Sequence, residues 1–79
     1  MNKPVKKIIQ GNIVLDVWLN EAAVNGELVN IPNITIKRKY KDKDNGQYLT
    51  TTNFRPKDVS NLEAAIGDLK SYLAQQNIQ

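Results

Sequence analysis

IVLDVWLNEAAVNGELVNIPNITIKRKYK, residues 13–41, alternates apolar and polar side chains on both sides of one Asn-Gly dipeptide. In its first third, Ile13, Leu15, Val17 and Leu19 fall on one face, and Val14, Asp16 and Trp18 on the other. That is the period of two expected of a strand with two unlike faces. Ile34 and Ile36 then alternate with Thr35, Lys37, Lys39 and Lys41. Asn25-Gly26 suits a two-residue hairpin turn, whose central positions both need positive φ. Counting outward from that turn pairs Val24 with Glu27, Val17 with Ile34 and Leu15 with Ile36, so the apolar faces coincide. A slip of one residue would set the isoleucines against Trp18 and Asp16 instead. Pro32 has no N–H to donate to a ladder, which predicts a bulge or break near it.

The next turn falls within Asp42–Gln47. A two-residue turn at Asn45-Gly46 would face Phe54 with Lys37, whereas a three-residue loop, Asp44-Asn45-Gly46, faces it with Ile36. The second buries the chain's one phenylalanine and is the expected arrangement. Tyr48, Thr50, Thr52 and Phe54 would then line the inner face, and Leu49, Thr51, Asn53 and Arg55 the outer one. Residues 4–10 supply a first strand, with Val5 and either Ile8 or Ile9 turned inward. From Pro56 the period changes: Val59, Leu62, Ile66, Leu69 and Leu73 recur at helical spacing, and Ala65 and Tyr72 widen the apolar arc. Asp58 or Ser60 can cap this helix, and Ser60 with Glu63 has the capping-box pattern. Gln75–Gln79 are expected to fray. The predicted fold is α+β, a single domain over 1–79. It is a four-stranded twisted antiparallel sheet (strands about 4–10, 12–24, 27–41 and 47–55) followed by one C-terminal helix (about 57–75).

Composition narrows the chemistry. The 79 residues contain no cysteine and no histidine, which removes disulfides, thiolate nucleophiles, the usual zinc sites and the commonest general base. No nucleophile stands near a plausible base, and no glycine-rich loop leads into a helix. Asp42-Lys43-Asp44-Asn45-Gly46 resembles the start of a calcium loop, but its twelfth position is Asn53, where a bidentate glutamate is needed. A non-enzymatic chain is expected, with no catalytic residue, metal, cofactor or small-molecule substrate. An apolar h-region and any apolar run near the roughly 20 residues of a membrane span are both missing, so a cytoplasmic protein is expected. A chain this short has a thin core, and oligomerisation is one way to enlarge it. A homodimer touching through Ile66, Leu69, Tyr72 and Leu73 is therefore expected, although the same arc would serve a helix that only covers its own sheet.

The formal charge is +3, and its distribution is uneven. Lys37, Arg38, Lys39, Lys41 and Lys43 cluster in one segment, and Lys3, Lys6 and Lys7 form a second group. A lysine-rich strand can protect a sheet edge from aggregation, or it can attract a polyanion. On the expected outer face Lys37, Lys39, Lys41, Asn53 and Arg55 join Trp18. Cations beside a stacking aromatic suit single-stranded nucleic acid, whose phosphates need charge and whose splayed bases need a π face. Duplex DNA fits less well, because no exposed basic helix can enter a groove. Trp18 can equally be a half-buried core residue or a dimer contact.

The segment Ile34–Leu69 resembles the single-stranded-DNA-binding transcriptional coactivator family known as positive cofactor four. Ile34-Thr35-Ile36-Lys37-Arg38-Lys39-Tyr40 is similar to that family's strand leading into an acidic, glycine-containing turn, here Asp42–Gly46. Thr52-Asn53-Phe54-Arg55-Pro56-Lys57-Asp58-Val59 is similar to its last strand and the proline that begins its long helix. The resemblance implies a four-strand, one-helix protomer, a dimer built with the helices, and single-stranded DNA held on paired sheets. By position it gives binding roles to Lys37, Lys39, Arg55 and Trp18. The hairpin from Asn20 to Pro32 is longer than the family's. The tract Tyr40–Gly46 with Thr52–Arg55 also resembles short uncharacterised microbial proteins, which imply no function.

Overall fold

The computed structural model describes residues 3–76. Strands β1 (Lys6–Gln10), β2 (Ile13–Val24), β3 (Glu27–Lys41) and β4 (Tyr48–Thr51) are followed by a 3-10 turn at Pro56–Asp58 and helix α1 (Val59–Gln76). The strands form one antiparallel sheet in the order β1-β2-β3-β4, the ββββα architecture expected. Gln75 and Gln76 are helical; the remainder of the fraying expected at the C-terminus lies outside the described residues.

The β2–β3 hairpin has the register that counting requires, with Val24 opposite Glu27, Val17 opposite Ile34 and Leu15 opposite Ile36. Asn25 (φ 52°) and Gly26 (φ 81°) make the turn. Pro32 causes no break and pairs with Leu19. In a two-residue hairpin the pair next to the turn is hydrogen-bonded and alternate pairs outward are bonded in turn, which leaves Leu19–Pro32 a non-bonded pair. The missing N–H of Pro32 therefore faces away from β2, on an edge that β4 does not reach. The same alternation ends in a 2.7 Å bond from the Lys39 N–H to the Asn12 carbonyl.

The β3–β4 turn corrects the sequence-based expectation. The Asp42 N–H donates to the Gln47 carbonyl (2.7 Å), and the Gly46 N–H donates back to the Asp42 carbonyl (3.0 Å), closing a four-residue loop over residues 43–46. Two side chains stabilise it: Asp42 Oδ1 accepts from the Asp44 N–H and Asn45 Oδ1 from the Gln47 N–H, each at 2.9 Å. These are Asx-type bonds, in which a short polar side chain replaces a backbone acceptor. The extra residue inverts the strand's faces. Tyr48 now pairs with Lys41 and Thr50 with Lys39, while Leu49 pairs with Tyr40 and Thr51 with Arg38. The strand stops at Thr51, so Phe54 lies beyond it, 37% exposed and not opposite Ile36.

Helix α1 covers β1 and β2. Its Ala65 and Leu69 pack with Ile8, Ile13, Leu15 and Val17, and Leu62, Tyr72, Leu73 and Ile36 surround that cluster. Burying each such large aliphatic side chain contributes about 1.5–3 kcal/mol. Ile8 is the inward residue of β1; Ile9 is exposed, and so is Val5, contrary to expectation. Among the residues expected at a dimer contact, Leu69 is buried within its own protomer, Tyr72 and Leu73 lean on the same core, and Ile66 stands exposed with Val59. Asp58, rather than Ser60 with Glu63, organises the helix start. Its Oδ2 accepts the Arg55 N–H at 2.8 Å and its own N–H donates to the Arg55 carbonyl at 2.8 Å, with Pro56 between them. That proline has no N–H to leave unsatisfied in a first turn.

Beyond Val17 and Ile34 the hairpin continues without neighbours, since β1 pairs only as far as Val17 and β4 only with residues 38–41. This two-stranded arm makes the molecule 50 × 26 × 16 Å, with a radius of gyration of 15.2 Å. A compact chain of this length has a radius near 12 Å.

Candidate nucleic-acid interface

Strand alternation sorts the sheet into two faces. The helix-side face carries Ile8, Ile13, Leu15, Val17, Ile36, Arg38, Tyr40, Leu49 and Thr51. The opposite face carries Lys7, Ile9, Val14, Asp16, Trp18, Thr35, Lys37, Lys39, Lys41, Tyr48 and Thr50. No element covers this second face among the described residues. Lys37, Lys39 and Lys41 sit at alternate positions of β3, so their Cα atoms recur about every 6.8 Å along one line. The ion pairs among the described residues, Lys7–Asp16 and Arg38–Asp58, involve none of the three.

Tyr48 is the aromatic that the sequence reading missed. Because the turn has four residues, its ring moves to the lysine face and is 68% exposed, with Lys39 Nζ 5.9 Å from the ring centroid. A cation within about 6 Å of an aromatic ring is attracted to its π face. The signal lay in Asp42 and Asn45, whose side chains bond two residues ahead and so lengthen the turn. Trp18 stands on the same face, half-buried, and its Nε1–H donates to Thr35 Oγ1 at 3.0 Å. That bond fixes the indole against the sheet and leaves it less free to stack than Tyr48.

Between these aromatics lies a buried acid. Asp16 is 2% exposed although no layer covers its face. Lys7 Nζ reaches Oδ1 at 3.0 Å, but off the line of a hydrogen bond, so Oδ1 has an ion-pair partner and no hydrogen-bond donor. The lysine face thus includes one neutralised pair, Lys7–Asp16, and three cations without a carboxylate.

Asn53 and Arg55, expected beside the lysines, are placed elsewhere. With Arg38, Tyr40, Thr51 and Phe54 they line an open groove of about 410 Å³ next to helix-side residues of β3 and β4. They left the lysine face for the reason Tyr48 joined it: the longer turn ends β4 early and inverts its parity. Arg38 anchors this region. Its Nε donates to the Asn53 carbonyl at 2.9 Å and lies 3.4 Å from Asp58 Oδ2, and its guanidinium is 5.5 Å from the Tyr40 ring centroid. The Arg55 N–H and the Asn12 amide (3.1 Å) both donate to the Asp58 carboxylate and hold its pKa below the usual 3.8; Arg38 and Lys57 add to this, while burial opposes it. Asp58 thereby ties the β1–β2 turn, β3 and the helix start together.

Compared with known protein families, curated proteins and solved structures, the chain matches none of them. Among the described residues no helix is long and apolar enough to cross a membrane.

Proposed function

We propose that this chain is a cytoplasmic, non-enzymatic protein that binds single-stranded nucleic acid, DNA foremost, with little sequence preference, on the face opposite its helix. The observation that carries the reading is the row Lys37, Lys39 and Lys41, without carboxylate partners, beside the exposed ring of Tyr48. A flexible strand laid along β3 meets a cation every second residue, and a splayed base can stack on Tyr48 or against the edge of Trp18. Protection of a sheet edge accounts poorly for Lys39, because β3 there pairs with β4 on one side and donates its N–H to the Asn12 carbonyl on the other. Asn53 and Arg55 meet the ligand in this reading only where it passes over the free edge of β4. The coactivator-like role implied by the resemblance to positive cofactor four would use the same surface.

A titration of the full chain with single- and double-stranded oligonucleotides of equal length, at two salt concentrations, tests this. Preference for the single strand, weakening steeply with salt, is expected. Equal binding to both forms, or none, refutes it. The second reading, a protein-interaction module without a nucleic-acid role, is favoured by a different feature, the uncovered arm.

A further inference from the structure

Helix α1 lies over β1 and β2, and the helix-side face of the sheet stays open at its β3–β4 end. The groove there, about 410 Å³, falls within the roughly 300–1,000 Å³ of small-ligand sites. Tyr40 and Phe54 bring two aromatic rings to it, each residue 37% exposed. Asn53 is held by its backbone at both ends: its N–H donates to Thr51 Oγ1 at 3.1 Å, and its carbonyl accepts from Arg38 Nε at 2.9 Å. Among the described residues its side-chain amide has no hydrogen-bond partner, and the Arg55 guanidinium has neither a hydrogen bond nor an ion pair. The groove therefore presents a fixed amide, two rings and a free cation.

Charge and shape select the occupant. Arg38 and Arg55 are the charged residues of the lining, and no carboxylate joins them. Asp58 already pairs with Arg38, which leaves Arg55 as the uncommitted cation. The occupant needs an anion for Arg55, a flat apolar surface for the rings, and a polar edge for an amide that both donates and accepts. A nucleotide supplies all three, as phosphate, base face and base edge. An acidic peptide supplies the anion, but its carboxylates sit on flexible stems with no flat face for the rings. Position points the same way. Only β4, a four-residue edge strand, separates the groove from the lysine face. The Asp42 N–H bond to the Gln47 carbonyl sets the alternation, so Leu49 and Thr51 bond to β3 while Tyr48 and Thr50 turn their N–H groups to the free margin. Backbone N–H groups are frequent phosphate donors. A strand leaving the Tyr48 ring thus meets donors at the margin and the groove beyond it.

We infer that this groove holds one nucleotide of a single strand that has turned over the β4 margin, its phosphate on Arg55, its base against Phe54 and Tyr40, and its base edge on the Asn53 amide. The inference rests on the nucleic-acid reading of the lysine face, which it continues. Oligothymidines of about four and about ten nucleotides, the bottom and middle of the range of single-strand sites, test it on the full chain. The shorter one provides a phosphate for each lysine of the β3 row and ends there. In nitrogen-15 spectra the longer one should shift the Asn53 side-chain amide and the Arg55 Nε–H resonances, and the shorter one should leave both in place. Arg55→Ala should flatten the salt slope of the longer one by about 0.7. Phe54→Ala, with a parent-like amide spectrum to show that it folds, should weaken the longer one by about 5- to 150-fold. Neither variant should alter binding of the shorter one. If the longer one binds with both resonances unmoved and Arg55→Ala matches the parent, the groove assignment is overturned and the lysine face stands. Absence of binding by either length overturns both. Shifts produced by a glutamate-rich peptide and not by the oligonucleotides make the groove a peptide site and overturn the inference.

Discussion

Replacing Lys37, Lys39 and Lys41 together by alanine removes three charges from one face while leaving the core cluster of Ile13, Leu15, Val17 and Leu69 untouched. Each phosphate of a single strand that a cation neutralises contributes about −0.7 to the slope of log affinity against log salt. If each lysine engages one phosphate, the triple variant has a slope flatter by about 2.1 per protomer engaged, and the Lys37/Lys39 double variant by about 1.4. Across a tenfold change in salt, a slope difference of about 2 changes the affinity ratio of parent to variant roughly a hundredfold, so the two differ most at low salt. Fluorescence anisotropy with a labelled oligothymidine at four or more salt concentrations measures it. Lys70→Ala, which removes one charge from the exposed side of α1, should leave the slope unchanged. Tyr48→Ala should behave differently: affinity falls by about 1–3 kcal/mol at every salt concentration with the slope preserved, because a stacked base releases no counterions. A triple variant with the parent's slope refutes the assignment of this face, whatever its affinity.

Leu15, fully buried in a central strand, should cost about 2–5 kcal/mol when replaced by alanine, read as a shift in the urea midpoint at constant m-value. Phe54→Ala should cost only about 1–2 kcal/mol, since its ring is partly in water; a loss near the 3–5 kcal/mol of buried aromatic truncations would return Phe54 to the core. The folded Asp58 carboxyl lies below its usual 3.8, so the stability it contributes is fully present above that value and is lost as pH falls through the depressed folded value. Thermal melts should therefore show Asp58→Asn less stable than the parent at neutral pH, with the gap closing in acid. Parallel acid profiles for the two proteins would remove Asp58 from this role.

How much of this was legible in the sequence depended on how many side chains constrained each step. The β2–β3 register was readable because two apolar patterns had to face each other across a turn whose length Asn25-Gly26 dictates. The helix was readable because its apolar spacing runs through four turns. The β3–β4 turn had only one arbiter, the assumed burial of Phe54. That assumption outweighed Asp42 and Asn45, whose local hydrogen bonds set the loop at four residues. One wrong count then moved Tyr48 to the wrong face and misplaced Asn53 and Arg55, while the lysines, fixed by the β2–β3 register, stayed where they were expected. Of the two residues the sequence offers as a cap, Asp58 organises the helix start through reciprocal bonds with the Arg55 backbone, and the Ser60-x-x-Glu63 pattern is not used. The division of the helix arc between its own sheet and other surfaces leaves no trace in periodicity. It requires knowing that Leu69 belongs to the buried cluster with Leu15 and Val17 while Ile66 stands exposed.

Pro32 gives the two margins of the arm different capacities. By the alternation of the hairpin, β2 turns the backbone groups of Leu19, Glu21 and Ala23 outward, an unbroken set of donors and acceptors. On the opposite margin the outward positions are Leu28, Asn30 and Pro32, and the last has nothing to donate. An incoming strand can therefore extend the sheet across the β2 margin but meets a gap on the β3 margin. A ribbon with two competent margins can add copies at both and grow without limit, as open-ended strand stacking does. A ribbon with one can be satisfied once, after which growth stops. The absence of a single proton from residue 32 thus makes the β3 margin the poorer of the two templates for strand addition.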